Sequence, residues 1–265
     1  MTEAELSGNG GPAPRPPRRL HKRPVEIAER IKDLIVESRL MPGDRLPPER
    51  ELMALFKASK STVREALGAL QTQGLVRTRT GPGGGIFVTA LEGSRAMDLL
   101  SNYFFFRQPT IRDIYVLRRR LEPELAASLV GKLSTEDFKR LRDTVRLYDH
   151  PPGNAEEEFR QRLAELDFHS VLAELSPNPV LGFVCGFLQN LLRNLSICQR
   201  IYDRPNPELR ESALHYQIRL LSALHHGDED SARQIMFEHM CAAQAYMEAC
   251  EARITSGFLR LGDKS

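Results

Sequence analysis

The chain has 265 residues, of which 41% are hydrophobic, and its 37 basic side chains nearly balance 35 acidic ones to give a net charge of +2. This composition predicts a folded protein with a core large enough for one large domain or two modest ones. The sequence has no apolar run of about 20 residues to cross a bilayer and no apolar N-terminal segment typical of a secretory signal. We therefore expect a cytoplasmic protein with no membrane partner.

The distribution of charge indicates the kind of partner, and the cysteines indicate their own chemical state. Residues 1–90 contain 15 Lys and Arg against 10 Asp and Glu, whereas the remainder contains 22 against 25. This asymmetry favours a polyanion as the partner of the first part. The four cysteines form no C-x-x-C pair and fall in apolar stretches, which indicates reduced core thiols rather than bridges or zinc ligands.

The N-terminal third predicts a helix, a helix-turn-helix and a hairpin, in that order. Residues 1–22 are rich in Pro, Gly and Arg, so we expect a disordered basic tail there. A helix is predicted over residues 25–38, and "PERELMALF" and "KSTVREALGALQTQG" predict two more, the second closed by Gly74. Two β-branched runs around "TGPGG" predict a hairpin. Over residues 23–90 this order is typical of a winged helix-turn-helix domain.

Polar side chains near the start of the last of these helices fit a use in DNA binding. Lys60, Ser61 and Arg64 lie on its outer side or near its N-terminus, and Arg77 and Arg79 flank the glycine-rich hairpin tip. A major groove accepts one helix, whose first residues reach base edges, and Arg can bind guanine through two hydrogen bonds. Taken singly, such residues are more often solvated surface groups, so the ordered combination carries the prediction.

Residues 42–88, "PGDRLPPERELMALFKASKSTVREALGALQTQGLVRTRTGPGGGIFV", resemble the DNA-binding domain of the GntR family of bacterial transcription regulators. The family usually has Arg where this chain has Lys60. Lys cannot make the planar two-bond fork of Arg, so we expect Lys60 to contact phosphate or to read its base less strictly. The resemblance implies operator contacts at seven positions: Arg50, Lys60, Ser61, Thr62, Arg64, Thr80 and Gly81.

The rest of the chain shows a succession of helical periods and no strand pattern. We assign residues 91–108 to a linker, 109–252 to an all-α antiparallel bundle of about six helices and 253–265 to a C-terminal tail. The predicted fold class is therefore mainly α, with an N-terminal winged helix-turn-helix domain followed by this bundle.

Three histidines lie in the middle of apolar helical stretches, on three different predicted helices. They are His169, His215 and His239, and on a regular helix Glu165 shares the face of His169 whereas Asp167 points to nearly the opposite side. Convergence of these groups would form a site for Zn²⁺, Ni²⁺ or Fe²⁺. Spacing alone does not exclude that each histidine is a hydrogen-bonded core residue.

Within residues 109–245 the segments "VLRRRLEPELAASL", "FHSVLAELSPNPVL" and "ALHYQIRLLSALHHGDEDSARQIMFEHM" resemble the effector domain of FadR-like GntR regulators, called the FCD domain. Many members bind a divalent metal through an acid and a histidine four residues apart plus two later histidines. That pattern falls on Glu165, His169, His215 and His239. The usual acid is Asp, so Glu165 is a departure, and Asp167 is the less favoured alternative.

Together the resemblances imply a ligand-responsive transcription repressor rather than an enzyme. A homodimer would bind a short inverted repeat of double-stranded DNA. A small organic acid would enter a metal-containing helical pocket, with Arg118, at an R-x-x-x-E position, as its counter-charge. Two alternatives are a metal-free sensor of acyl-CoA and a metal-dependent hydrolase, although no additional His or Glu stands out as the general base of a hydrolase.

Overall fold

The computed structural model describes residues 22–202 and 207–260, and the chain divides after Glu92 into two compact units. Residues 1–21 of the predicted basic tail and residues 261–265 of the predicted C-terminal tail lie outside the described residues. The part of the predicted C-terminal tail that is described continues the last helix as far as Arg260.

The N-terminal unit has the predicted order of elements. Of the two helices in its helix-turn-helix, the first has Pro48 as its N-cap residue and the second has Ser59. Gly74 follows the second helix with a φ of +77°, a left-handed conformation that suits glycine. The two strands pair antiparallel and join a common core with the three helices. The elements are α1 (Lys22–Glu37), α2 (Glu49–Phe56), α3 (Lys60–Thr72), β1 (Val76–Arg79) and β2 (Gly85–Val88).

The C-terminal unit contains helices only among the residues that the structure describes, which confirms the mainly α fold class. Helices α5 and α11 pack along each other, and α7 and α8 form a second closely packed pair. The helices are α4 (Gly93–Phe105), α5 (Ile111–Ser128), α6 (Thr135–Arg146), α7 (Ala155–Glu174), α8 (Pro179–Asn194), α9 (Ser196–Tyr202), α10 (Pro207–His226) and α11 (Glu229–Arg260).

The described helices of this unit number eight, not about six, for two reasons. Residues 91–108, which we assigned to a linker, include α4, whose Met97 and Phe104 pack on the core of the unit. The apolar helical stretch over residues 179–202 forms two helices, α8 and α9, because Leu195 adopts an extended conformation with a ψ of 121°. Ser134 caps α6 in a capping box with Asp137.

Among the described residues, no helix is long and apolar enough to cross a membrane by itself, and only the bent pair of α8 and α9 reaches that length and composition together.

Helices α7 and α8 approach each other at Gly182. A Cβ atom there would lie 2.4 Å from the carbonyl oxygen of Ala173 and 2.9 Å from the Cβ of Ser176. We therefore expect Gly182→Ala to lower the free energy of unfolding by about 1–3 kcal/mol, because the backbone must move. Chemical denaturation followed by circular dichroism measures the change.

Gly186, one turn later on α8, is the matched control. Its added Cβ would meet only the flexible end of Met97 at 3.2 Å and the Cβ of Ala173 at 3.8 Å. Gly186→Ala should change the free energy of unfolding by less than about 1 kcal/mol, since alanine favours the helix. Equal effects of the two substitutions would contradict the close helix contact at Gly182.

Candidate DNA interface and buried effector site

The N-terminus of α3 presents the polar residues that the sequence singled out. The Ser59 hydroxyl accepts a hydrogen bond from the Thr62 backbone N–H at 3.3 Å and lies within hydrogen-bond distance of the Ser61 and Thr62 hydroxyls, at 2.9 and 2.8 Å. Lys60, Ser61 and Arg64 are exposed and Thr62 is half-buried. The helix therefore offers a basic, hydroxyl-rich end of the kind that enters a major groove.

Arg64 makes a contact that the sequence did not predict. Its Nε donates to both carboxylate oxygens of Glu49 on α2, at 3.1 and 3.0 Å. Arg50, the next residue of α2, is exposed as expected for an operator contact. The spacing of Glu49 and Arg64 on two short helices gives no signal of this pairing, because the angle between those helices decides it.

The hairpin tip is exposed at Thr80 and Gly81, and Gly81 has a φ of +87° that an L side chain rarely adopts. Behind the tip, Arg45 Nη2 donates to the carbonyl oxygen of Gly84 at 2.6 Å. This bond ties the tip to the segment that precedes α2. Six of the seven predicted DNA contacts are therefore exposed, and Thr62 is half-buried. All seven lie on α2, α3 or the hairpin of the N-terminal unit.

Glu122 of α5 is the centre of a buried charged cluster in the C-terminal unit, and it is 1% exposed. Its Oε1 accepts from Arg118 Nε at 2.5 Å and from Gln189 Nε2 at 2.7 Å, and its Oε2 lies 2.6 Å from His169 Nδ1. On the other side of the His169 ring, Nε2 lies 3.2 Å from His239 Nε2. One buried chain of contacts therefore joins α5, α7, α8 and α11.

The environment sets the charges of this cluster. Burial by itself would raise the pKa of Glu122, but the neighbouring Arg118 and His169 together lower it to about 2, so the carboxylate is ionised. Burial, followed by the charges of His169 and Arg118, lowers the pKa of His239 well below its ordinary value. A neutral imidazole, which can bind a metal, is therefore expected at His239.

A small cavity adjoins the cluster. Its volume is about 10 Å³, which corresponds to one water molecule or one ion. Glu165 is 7% exposed and accepts a hydrogen bond from the buried Arg162 at 3.1 Å. The cavity is lined by Tyr115, Arg118, Glu165, Leu166, His169, Tyr202, Leu209, His239, Met240, Ala243 and Met247.

The structure brings together Glu165, His169 and His239 of the predicted metal ligands, together with Arg118. It does not bring in His215, which is exposed on α10 and outside the cavity lining, with the Tyr216 ring against both His215 and His239. No three His, Cys, Asp or Glu side chains within residues 22–202 and 207–260 form a group that could hold a metal ion as they stand.

The two acids of α7 separate as the helical wheel predicts. Glu165 lines the cavity, whereas Asp167 is half-buried and forms an ion pair with Arg193 of α8. Asp167 therefore has another partner and points away from His169.

Part of this donor set fits a divalent ion. Nitrogen ligands lie about 2.0–2.1 Å from zinc, so two of them on one ion stand about 2.8–3.4 Å apart at octahedral or tetrahedral angles. The two facing Nε2 atoms are 3.2 Å apart, and the other nitrogen of His169 lies against the Glu122 carboxylate, as a histidine that binds a metal usually requires. His239 Nδ1 is buried without a hydrogen-bond partner among the described residues.

Sequence reasoning missed Glu122, Arg162 and Gln189. A signal for Glu122 exists, because Arg118 and Glu122 stand four residues apart within the apolar stripe of α5, where unpaired charges would be costly. Gln189 lies in an apolar helical stretch and Arg162 among other charged residues, and neither position carries a comparable signal.

A helix-turn-helix unit with a hairpin wing, joined in one chain to a helical unit with a buried charged cluster, defines the class of DNA-binding transcription regulators with an effector domain. The family described as "Bacterial regulatory proteins, gntR family" matches residues 24–88, and the FCD domain matches residues 113–242. The chain belongs to the GntR family of bacterial regulatory proteins and carries an FCD domain.

Curated relatives are regulators rather than enzymes. The uncharacterized HTH-type transcriptional regulator YcbG of Bacillus subtilis is 28% identical over 81% of this chain and 85% of its own length. The Uxu operon transcriptional regulator of Escherichia coli is 28% identical over 81% and 82%, and the HTH-type transcriptional repressor NanR of the same species is 26% identical over 88% and 89%. The hydrolase alternative is therefore set aside.

The solved structure of a Streptococcus agalactiae GntR protein has the same fold. It covers 84% of this chain and 99% of its own, with a TM-score of 0.57 and 21% sequence identity.

Proposed function

We propose that this regulator is a repressor whose operator binding is controlled by a small organic acid that binds beside Glu122. The acid would have to enlarge the cavity there, which at about 10 Å³ holds one water molecule or one ion. The main support is that four polar side chains lie in the core of the effector domain, each at most 3% exposed: Arg118, Glu122, His169 and His239. Buried ionised groups are costly for folding, and their clustering beside a cavity is characteristic of binding sites. A wholly apolar core would hold these helices together at lower cost.

A divalent metal ion, with Zn²⁺ as the first candidate and Ni²⁺ or Fe²⁺ as alternatives, is the proposed cofactor. His169 and His239 would hold it, with Glu165 as a third ligand if its carboxylate turns from Arg162 toward the two imidazoles. The ion would supply a positive centre for carboxylate or hydroxyl oxygens. His215 joins this set only if its side chain turns from the surface toward the cavity.

We expect His169→Ala and His239→Ala to lose most of the bound metal, because each removes a nitrogen that faces the cavity. Elemental analysis of the purified protein measures metal per chain. His225→Ala, at an exposed position near the end of α10, is the control and should keep the full content. The metal content of His215→Ala decides whether the third histidine takes part. Full metal content in both cavity variants would contradict the proposed site.

A metal-free sensor is the second candidate, because the two imidazoles already contact each other and Glu165 already accepts a hydrogen bond from Arg162. For this candidate the cluster would be structural, and its effector, such as an acyl-CoA, would bind elsewhere. A chelator that changes neither the melting temperature nor effector binding would favour it over the metal site.

Arg118 is the proposed counter-charge for the acid. It lines the cavity and its guanidinium lies 4.8 Å from the centre of the Tyr115 ring. A thermal-shift screen of sugar acids, hydroxy acids and dicarboxylates, with and without Zn²⁺, identifies the effector class, because bound ligand raises the melting temperature by mass action.

We further propose that two chains bind the operator as a homodimer. Two copies of α3 placed about one turn of DNA apart would recognise a short inverted repeat. Support comes from the family, whose DNA-binding unit presents one recognition helix in each chain. The molar mass of the protein with and without such a duplex, measured by light scattering, tests the stoichiometry.

A further inference from the structure

A carboxylate on α2 holds the arginine of α3 that we propose as an operator contact. Arg64 Nε lies 3.1 Å from Oε1 and 3.0 Å from Oε2 of Glu49. The Arg64 side chain is 61% exposed and that of Glu49 is 32% exposed. An ion pair with this much exposure contributes little to folding stability. Stability is therefore a poor reason for placing Glu49 beside Arg64.

The contact leaves one edge of the guanidinium available. Within the described part of the chain Arg64 donates to Glu49 only through Nε, and neither Nη1 nor Nη2 has a hydrogen-bond partner. The guanidinium is a rigid plane, so fixing Nε also fixes the direction of the two Nη groups. Two parallel N–H donors match the O6 and N7 acceptors that guanine presents in the major groove.

We propose that Glu49 is a positioning residue for sequence recognition, which orients the Nη1 and Nη2 edge of Arg64 toward one base of the operator. This inference rests on the proposed role of Arg64 in DNA binding. It adds a residue that touches no base but determines how strictly one base pair is read. A side chain that is already oriented loses less conformational freedom on binding and is held back from neighbouring phosphates.

The carboxylate has a second, opposite effect on DNA affinity. A negative charge on the DNA-facing unit repels phosphates, so Glu49 lowers the affinity for every duplex. By orienting Arg64, it also increases the ratio of the affinity for the correct duplex to the affinity for others. Removing the charge should therefore lower discrimination without lowering affinity for unrelated DNA. A residue with a merely structural role would not separate these two quantities.

The test compares Glu49→Gln with Glu51→Gln, which removes the same charge from an exposed position on the same helix. The wild-type protein first selects its preferred duplex from a random pool. Dissociation constants are then measured for that duplex, for each single base-pair substitution and for a scrambled duplex. The penalty of a base-pair substitution is the factor by which it raises the dissociation constant. We expect Glu49→Gln to reduce this penalty about 5- to 10-fold at one base pair and to bind the scrambled duplex at least as tightly as the wild-type protein does. Glu51→Gln should retain the full penalty.

A second arm uses the Arg64→Ala background, in which Glu49→Gln should leave the base-pair penalties unchanged, because Glu49 acts through Arg64. Additional loss in that background, or an unchanged penalty in Glu49→Gln alone, would overturn the proposal. If the wild-type protein selects no sequence, the proposed function fails and this inference fails with it. If it selects one and Glu49→Gln discriminates as strictly, only the inference fails.

Discussion

Replacing Glu122 by alanine is expected to lower the free energy of unfolding of the C-terminal unit by about 3–5 kcal/mol, the usual cost of leaving a buried charge without its partner. Glu122 accepts hydrogen bonds from Arg118 and Gln189 and contacts His169, and Arg118 is 2% exposed. Without the carboxylate, the guanidinium stays in the core with no counter-charge. Urea denaturation followed by circular dichroism at 222 nm measures the loss.

Glu124, two residues further along α5, is the control. Its side chain is 57% exposed and pairs with Arg233 of α11 at 2.9 Å. An exposed pair contributes about 0–1 kcal/mol, so Glu124→Ala should have a correspondingly small effect. If Glu122→Ala cost no more than Glu124→Ala, the cluster would not be the buried, mutually dependent network described above.

Replacing Arg64 by alanine is expected to weaken binding to the selected operator about tenfold or more, since a two-bond contact with one base contributes about 1–3 kcal/mol to discrimination. The loss should be concentrated at one base pair, where Arg64→Ala tolerates substitutions that the wild-type protein rejects. Dissociation constants for single base-pair variants, measured by fluorescence anisotropy at one salt concentration, give the pattern.

Lys60→Ala provides the contrast on the same helix. An ammonium group that contacts phosphate should strengthen binding to all duplexes alike, so its removal should weaken binding uniformly. The slope of the logarithm of the binding constant against the logarithm of salt concentration should fall by about one unit. If Arg64→Ala also weakened all duplexes alike, Arg64 would be a phosphate contact, and base recognition would have to lie elsewhere.

Local chemistry explains why the N-terminal unit was predictable from sequence. Pro48, Ser59 and Gly74 mark helix ends by their own conformational preferences, and the hairpin is marked by a glycine-rich turn between β-branched runs. The helical wheel likewise separated Glu165 from Asp167, because a regular helix fixes which residues share a face.

The candidate effector site depends on contacts that no local rule specifies. Glu122 and His169 are 47 residues apart in sequence, and His169 and His239 are 70 residues apart. Whether such groups meet depends on helix packing and on the break at Leu195. No Pro or Gly in the sequence marks that end of α8. The same limit applies to His215, whose mid-helix position suggested burial although α10 turns it toward solvent.

The most direct test of the account is an anisotropy titration of the selected operator with wild-type protein and with His169→Ala, in the presence and absence of the best acid from the thermal-shift screen. We predict that the wild-type protein prefers the operator over a scrambled duplex and that the acid lowers its operator affinity several-fold. His169→Ala should keep the preference and lose the response to the acid. Equal affinity for operator and scrambled DNA, or an undiminished response in His169→Ala, would contradict the account.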